Sequence, residues 1–144
     1  MKIQIIGKGV VGIATGEGFK KWGHSVVYTD KGDRHADVEA ELRFICTPEE
    51  AAPDVVRELA QRPHEDGIVI RSTVPPGTTK ALSDELHIAI VHNPEFLREK
   101  MAQEDFLTRP YAIVGIAVSR GQSYSSNLVS QLTAAYRAGG VTCH

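Results

Sequence analysis

Apolar residues along the chain fall into short β-branched runs separated by longer stretches with helical spacing. "KIQII" (2–6), "HSVVYTD" (24–30), "LRFIC" (42–46), "GIVIR" (67–71), "IAIVH" (88–92) and "YAIVGIAV" (111–118) read as strands. Between them, "VVGIATGEGFKKWG" (10–23), a stretch around 53–62, "TTKALSDEL" (78–86) and a segment from about Asn93 to Gln103 read as helices. A last helix near 123–137 puts Leu128, Leu132, Ala135 and Tyr136 on one face, the stripe of a packed helix. Strands that are apolar throughout, rather than alternating, belong to a sheet covered on both faces. The alternation of strand and helix predicts an α/β fold, a doubly wound, mainly parallel six-stranded sheet with helices on both faces.

In a doubly wound fold such strands can run in the order 3-2-1-4-5-6, which puts the third at the sheet edge. Arg43, inside that strand, is tolerable at an edge. Only 11 residues separate Asp30 from Leu42, near the minimum for a parallel crossover, so a stunted helix or a bare loop is expected there. Pro53 should either start the following helix or kink it.

Composition narrows the picture mainly by exclusion. A length of 144 residues suits a single domain spanning 1–144. Apolar and charged fractions of 42% and 24% are those of an ordinary globular protein. A formal net charge of −2 gives no electrostatic case for nucleic acid or an anionic membrane as partner. No segment approaches the ~20 apolar residues of a membrane span. A strand-like run from Lys2 leaves no room for a signal peptide. Cys46 and Cys143 have neither metal-ligand spacing nor a redox pair pattern, so a reduced, cytoplasmic chain without a metal site is expected.

Candidate chemistry begins at "GKGVVG" (7–12), a G-x-G-x-x-G directly after a strand and opening a helix. Gly7 permits the tight turn, Gly9 lets backbone approach a pyrophosphate, and Gly12 lets the helix pack closely on the strand. Together with Lys8, Val10 and Val11 they form a turn whose free N–H groups and helix dipole can hold phosphates. Asp30 follows 18 positions after Gly12, at the end of the second strand. Its carboxylate should accept from the adenosine ribose and repel a 2′-phosphate, favouring NAD over NADP, with Lys31 and Arg34 nearby to soften the preference. The alternative is a glycine turn without a ligand and an aspartate in a solvated loop.

"RSTVPPGTT" (71–79) and "HNPEFLREKMAQEDF" (92–106) are more specific. With "GKGVVG", "GHSVVYTD" (23–30) and "FICTP" (44–48), they resemble the N-terminal NAD-binding domain of the UDP-glucose/GDP-mannose dehydrogenase family, from Met1 to about Gly115 and in the family's order. That family oxidises a nucleotide sugar twice, alcohol to carboxylate, passing two hydrides to NAD through a thioester on a cysteine. The resemblance implies that Thr47 and Pro48 lie along the nicotinamide end of the cofactor. It implies that Ser72 and Thr73 line the nicotinamide and its ribose, with the Thr73 hydroxyl also facing the reacting carbon. It further implies that Glu95 assists water attack on the thioester as a general base, and that Glu99 sits beside the cofactor.

The same residues have structural uses. Asn93 is a good helix cap, Pro94 suits the first helical position, and Glu95 in the first turn suits the dipole. Thr47 and Glu50 match a capping box. Like charges four apart on a helix, as Glu95 and Glu99 would be, cost on the order of a few tenths of a kcal/mol.

Three departures from the family bear on activity. Nothing here resembles its cysteine nucleophile: Cys46 lies at a strand end, where a small buried hydrophobe is expected, and Cys143 has no matching motif. Its central helix and nucleotide-sugar domain have no counterpart, and its segment between the second and third strands is cut to "KGDRHADVEAE" (31–41). The leading expectation is therefore an NAD(H)-binding chain that is not catalytically competent alone. Alternatives are one subunit of a split dehydrogenase, whose partner chain supplies the thiol and sugar site, or a non-enzymatic module. That module would sense NAD(H) or serve as an interaction platform, with a possible homodimer where the central helix would dock.

Overall fold

A computed structural model describes residues 1–61, 67–117 and 126–144. Five parallel strands, β1 (Lys2–Ile6), β2 (Ser25–Thr29), β3 (Leu42–Ile45), β4 (Gly67–Ile70) and β5 (Ile90–His92), form the body of one sheet. Two short strands follow, β6 (Tyr111–Ala112) and β7 (Gly115–Ala117), and the chain closes with β8 (Thr142–Cys143). β7 adds antiparallel to β5, and β6 pairs separately with β8. The helices are α1 (Val10–Lys21), α2 (Ala52–Leu59), α3 (Thr78–Leu86), α4 (Ala102–Thr108) and α5 (Ser126–Arg137).

The pleat sends alternate strand residues to opposite faces, and each face has its own core. Ile3, Ile5, Leu42, Phe44, Val69 and Val91 meet Phe19 of α1, Phe106 of α4 and Leu128, Leu132 and Tyr136 of α5 on one side. Ile6, Ile45, Ile68, Ile70 and Ile90 meet Val55, Val56 and Leu59 of α2 and Leu82 of α3 on the other. The predicted stripe of α5 is buried as expected. Pro53 sits in the first turn of α2, so that helix starts at the proline rather than kinking there. The crossover from β2 to β3 carries only a 3₁₀ turn (His35–Asp37), the stunted connection its length implies.

The strand order corrects the expectation: it is β2-β1-β3-β4-β5-β7, not 3-2-1-4-5-6. β3 lies beside β1 in the middle of the sheet, and β2 is the edge. Arg43 is accordingly 1% exposed, its Nη2 donating to the Val38 carbonyl in the crossover. The short link lays its own backbone over the guanidinium, which solvent would have covered at an edge.

Two further expectations change. "YAIVGIAV" is not one strand: at Val114 the N–H turns to the His144 carbonyl, so the C-terminal segment splits the run into β6 and β7. No helix starts at Asn93 either. Residues 93–98 carry no regular secondary structure, a 3₁₀ turn covers Glu99–Met101, and α4 begins at Ala102. Asn93 cannot cap because its side chain is drawn inward, accepting from Arg71 and donating to the Ile113 carbonyl. Residues 62, 118 and 123–125 of the predicted elements lie outside the described residues.

The strand ends align through the pairing register. Thr29, Ile6, Ile45, Ile70 and His92 stand side by side across five strands. The next row is therefore Asp30, Gly7, Cys46, Arg71 and Asn93, tied by N–H bonds from Gly7 to Thr29, Cys46 to Ile6, Arg71 to Ile45 and Asn93 to Ile70. At about 4.8 Å per strand, that row spans roughly 19 Å along the C-terminal edge of the sheet.

Candidate functional site

The row passes through the point where the strand order reverses, between β1 and β3, which is where open α/β sheets bind ligands. Backbone from both strands meets there without room for side chains. Gly7 has φ +100°, and a Cβ on it would lie 2.6 Å from the Cys46 carbonyl oxygen. A Cβ on Gly12 would lie 1.9 Å from the Gly7 oxygen. Gly9 differs: a Cβ there meets nothing within 4 Å. It is the N-cap of α1 and supplies no capping side chain, so the helix's first N–H groups have no side-chain acceptor.

Two cavities flank this turn. The larger, about 660 Å³, lies between Lys8, Gly9 and Val10 on one side and residues 99–104, including Glu99, on the other. The smaller, about 220 Å³, is lined by Val11, Cys46, Thr47, Pro48, Glu49, Arg71, Ser72, Thr73 and Glu95. Val10 faces one cavity and its neighbour Val11 the other, so the helix start separates them. Of the residues picked from the sequence, the fold brings Thr47, Pro48, Ser72, Thr73 and Glu95 to one cavity and Lys8, Gly9, Val10 and Glu99 to the second. Asp30 and Lys31 line neither. Asp30 lies next to the turn through the Gly7 N–H bond to Thr29, and its carboxylate accepts the Lys31 N–H at 2.9 Å.

Several expectations are refined. Thr47 is not a helix cap: Pro48 occupies that position, and the Thr47 hydroxyl is buried with no hydrogen-bond partner. Ser72 spends its hydroxyl on the Thr47 carbonyl at 2.7 Å, fastening the end of β4 to the loop after β3. Thr73 is exposed, its side chain at the cavity rim. Glu95 caps no helix; its Oε2 accepts the Leu97 N–H at 2.7 Å within the loop after β5. That loop is held at its far end by Arg98, whose guanidinium and N–H reach Asp105 and hold its carboxyl down at about 2. Cys46 is more than a core filler. It forms part of the cavity wall, and burial pushes its thiol up to about 12, so it is neutral at physiological pH.

Sequence reasoning missed Arg71. It is fully buried, its Nε donating to the Thr15 hydroxyl at 2.8 Å and its Nη1 to Asn93 Oδ1 at 2.6 Å and Tyr136 Oη at 3.0 Å. Its Nη2 has no partner. A charge ending an otherwise apolar strand, directly before Ser72 and Thr73, was the available signal.

The donor set suits a dinucleotide: open backbone at Gly9, uncapped amides at the start of α1 and a carboxylate one strand away. Among the described residues, no cluster of His, Cys, Asp and Glu could hold a metal, and no helix is long and apolar enough to cross a membrane.

Comparison with known proteins agrees. Residues 33–133 match the family model of the UDP-glucose/GDP-mannose dehydrogenase family, NAD binding domain. A UDP-glucose 6-dehydrogenase of Rickettsia prowazekii is 36% identical over 84 residues, covering 54% of this chain and 18% of that protein. One from Rhizobium meliloti is 27% identical over 179 residues, covering 85% and 41%. GDP-mannose dehydrogenase from Pseudomonas aeruginosa superposes with a TM-score of 0.78 at 21% identity, over 99% of this chain and 45% of that one. The chain thus spans less than half the length of the relatives it matches.

Proposed function

Since the chain belongs to the UDP-glucose/GDP-mannose dehydrogenase family, as its NAD-binding domain, we propose that it lays NAD(H) along the row from Asp30 to Asn93 and serves as the cofactor half of a nucleotide-sugar oxidoreductase. The observation that carries this is the contrast among the turn glycines. Two are forced by internal packing, while Gly9 faces open space before an uncapped helix, between the two cavities. Only an external ligand gives that third glycine a use.

On this reading the chain's residues divide the ligand along the sheet edge. Asp30 accepts from the adenosine ribose, with Lys31 beside it. Gly7, Lys8, Gly9, Val10, Val11 and Gly12 cradle the diphosphate, with Glu99 across the larger cavity. Thr47, Pro48, Ser72 and Thr73 enclose the nicotinamide end. NAD, once bound, accepts hydride; the chain's own work is to hold and orient it and to keep water from it. Glu95, on the wall of the same cavity, stands where a base could take a proton from substrate or water.

A second polypeptide, or chain beyond these residues, supplies the sugar site and the thiol, so this chain alone does not turn over. That partner fits the exposed Phe96 (66%) and Tyr111 (51%), which line a further cavity beside the Glu95 loop. NADH titration of the purified chain, monitored by fluorescence, tests the cofactor claim. Micromolar binding that Gly9→Val abolishes and Asp30→Ala weakens supports it, and a flat titration defeats it. With UDP-glucose or GDP-mannose plus NAD, the lone chain should form no NADH. Turnover there would overturn the claim that the substrate half lies elsewhere.

A further inference from the structure

Arg71, Asn93 and Tyr136 close a ring of hydrogen bonds, and all three side chains are fully buried. Arg71 Nη1 donates to Asn93 Oδ1 at 2.6 Å and to Tyr136 Oη at 3.0 Å, and the Tyr136 hydroxyl donates in turn to Asn93 Oδ1. The other end of the Asn93 amide, Nδ2, donates to the Ile113 carbonyl at 2.7 Å, and the Asn93 backbone N–H donates to the Ile70 carbonyl. Asn93 is thus fixed at once from β4, from α5 and from the link between β6 and β7. Arg71 is itself tied down, its Nε donating to the Thr15 hydroxyl of α1, the helix that opens at the glycine turn. The oxygens it reaches are all neutral. What the guanidinium contributes is a rigid fork that spans groups on three elements.

From this clamp the chain runs on as a loop without regular secondary structure, and Glu95, two positions after Asn93, lines the 220 Å³ cavity. The hydrogen bond its carboxylate makes, to the Leu97 N–H, stays inside the loop. Where the loop stands is therefore set at its ends, by Asn93 on one side and the Arg98–Asp105 pair on the other. Arg98 is exposed, and an exposed pair holds little by itself. The buried end is the firm one. We propose that Arg71 and Asn93 are positioning residues for Glu95: Arg71 locks Asn93, and Asn93 sets the carboxylate against the cavity. This rests on the reading of Glu95 as the base of the assembled oxidoreductase. A base acts only within hydrogen-bond reach of its proton, and a misplacement of about 1 Å costs on the order of 100-fold in rate. The same fork reaches α1, so the helix that would hold the phosphates and the loop that would hold the base share one point of attachment.

Amide hydrogen exchange followed by NMR on the free chain tests this, because the Leu97 N–H reports directly on the Glu95 carboxylate. Asn93→Ala removes the clamp, and Arg71→Lys keeps the charge but loses the fork. Each should speed Leu97 exchange about tenfold or more, the equivalent of one hydrogen bond to a charged group. The Lys31 N–H, bonded to Asp30 in a loop away from the clamp, should stay within about twofold of wild type. Ser83→Ala, which removes a buried hydroxyl in α3, should lower stability and leave Leu97 within about twofold, as a merely structural loss does. If Leu97 exchange in folded Asn93→Ala and Arg71→Lys chains also stays within about twofold, or if Ser83→Ala speeds it equally, the assignment is wrong. Should neither clamp variant fold, Tyr136→Phe, which takes one donor from Asn93, decides alone, with a rise of about threefold expected and no rise refuting the assignment. No ligand is present, so the outcome is independent of the NADH titration. A flat titration would remove the use of the base and leave the clamp, whereas unchanged Leu97 exchange would remove the clamp and leave the cofactor.

Discussion

Alanine placed at each of the three turn glycines should give three different outcomes, because the space around them differs. At Gly12 the new Cβ would sit 1.9 Å from the Gly7 oxygen and 3.0 Å from its carbon, both backbone atoms that cannot rotate away. Overpacking of side chains costs about 1–3 kcal/mol, and a collision between two backbone segments should exceed roughly 3 kcal/mol. Gly7→Ala combines a 2.6 Å approach to the Cys46 oxygen with φ +100°, so it belongs in the same range. Gly9 has φ −75° and ψ −174°, open to any residue, and empty space in front. Losing a glycine cap for alanine costs under about 1 kcal/mol.

At roughly 3–5 °C of melting temperature per kcal/mol for a chain of this size, Gly7→Ala and Gly12→Ala should melt about 10 °C or more below wild type. Gly9→Ala should lie within a few degrees of it. Ligand affinity should reverse the ranking of damage. A methyl at Gly9 holds the diphosphate off the helix amides, forfeiting one or two hydrogen bonds to a charged group at about 1.5–3 kcal/mol each. One such bond lost weakens NADH about 10- to 150-fold. Differential scanning fluorimetry with and without NADH reads both quantities in one plate. A folded Gly9→Ala chain that binds NADH within twofold of wild type would refute the placement of the phosphates. A Gly12→Ala chain of normal stability would refute the close approach of α1 to the Gly7 backbone after β1.

Further expectations concern three side chains packed into the fold. The Cys46 thiol is raised from 9.0 to about 12 by burial, so the native state keeps its proton while the unfolded chain loses it. Stability should therefore fall by up to about 1.4 kcal/mol per unit between pH 9 and 12, and Cys46→Ala should remove that share of the slope in denaturant titrations. The raised pKa should also make Cys46 label slowly with iodoacetamide at pH 8 in the native chain, and labelling at the rate of a free thiol would contradict it. Tyr136→Phe removes a hydroxyl that gives to Asn93 and receives from Arg71, and should lower stability by about 1–2 kcal/mol in urea melts. Phe106 packs on Phe19 and Trp22, with ring centroids 5.4 and 4.9 Å away, and Phe106→Ala should cost about 3–5 kcal/mol.

The local pattern was legible where the sheet covers both faces of a strand. β1, β3 and β4 read as largely apolar runs because both sides of each are buried, and α5 shows its stripe because one side packs. What the pattern could not carry was which strand neighbours which. Any buried parallel strand reads alike, so β3 looked equally plausible at an edge or in the middle, and Arg43 misled because a backbone carbonyl from the short crossover satisfies it. Residues 93–98 misled for a related reason. Asn-Pro-Glu has the form of a helix start, but Arg71, twenty-two positions earlier, captures the Asn93 side chain. The candidate site survived both errors. Its residues come directly after strand ends, and strand ends meet at one edge of a parallel sheet whatever the order.

The survival has a topological cause. The reversal that creates the cleft lies between β1 and the strand on its far side from β2, and β3 occupies that place here. In the 3-2-1 order a further strand would lie outside β2; here the edge passes to β2 itself. Its exposure shows the change: Ser25 is open and Val26, Val27 and Tyr28 are only partly covered. Tyr28 guards that edge, its hydroxyl on Glu17 and its ring under Lys20, against the helix at Gly16. Asp30, which would meet the ribose, thus stands on the outermost strand, with a loop bearing Lys31 and Arg34 beyond it. Thr47, Arg71 and Ser72 follow directly on the central strands β3 and β4. The adenosine end should accordingly tolerate more variation in the ligand than the ring end, although the Asp30 carboxylate still disfavours a 2′-phosphate. Selectivity, in this chain, belongs to the middle of the sheet.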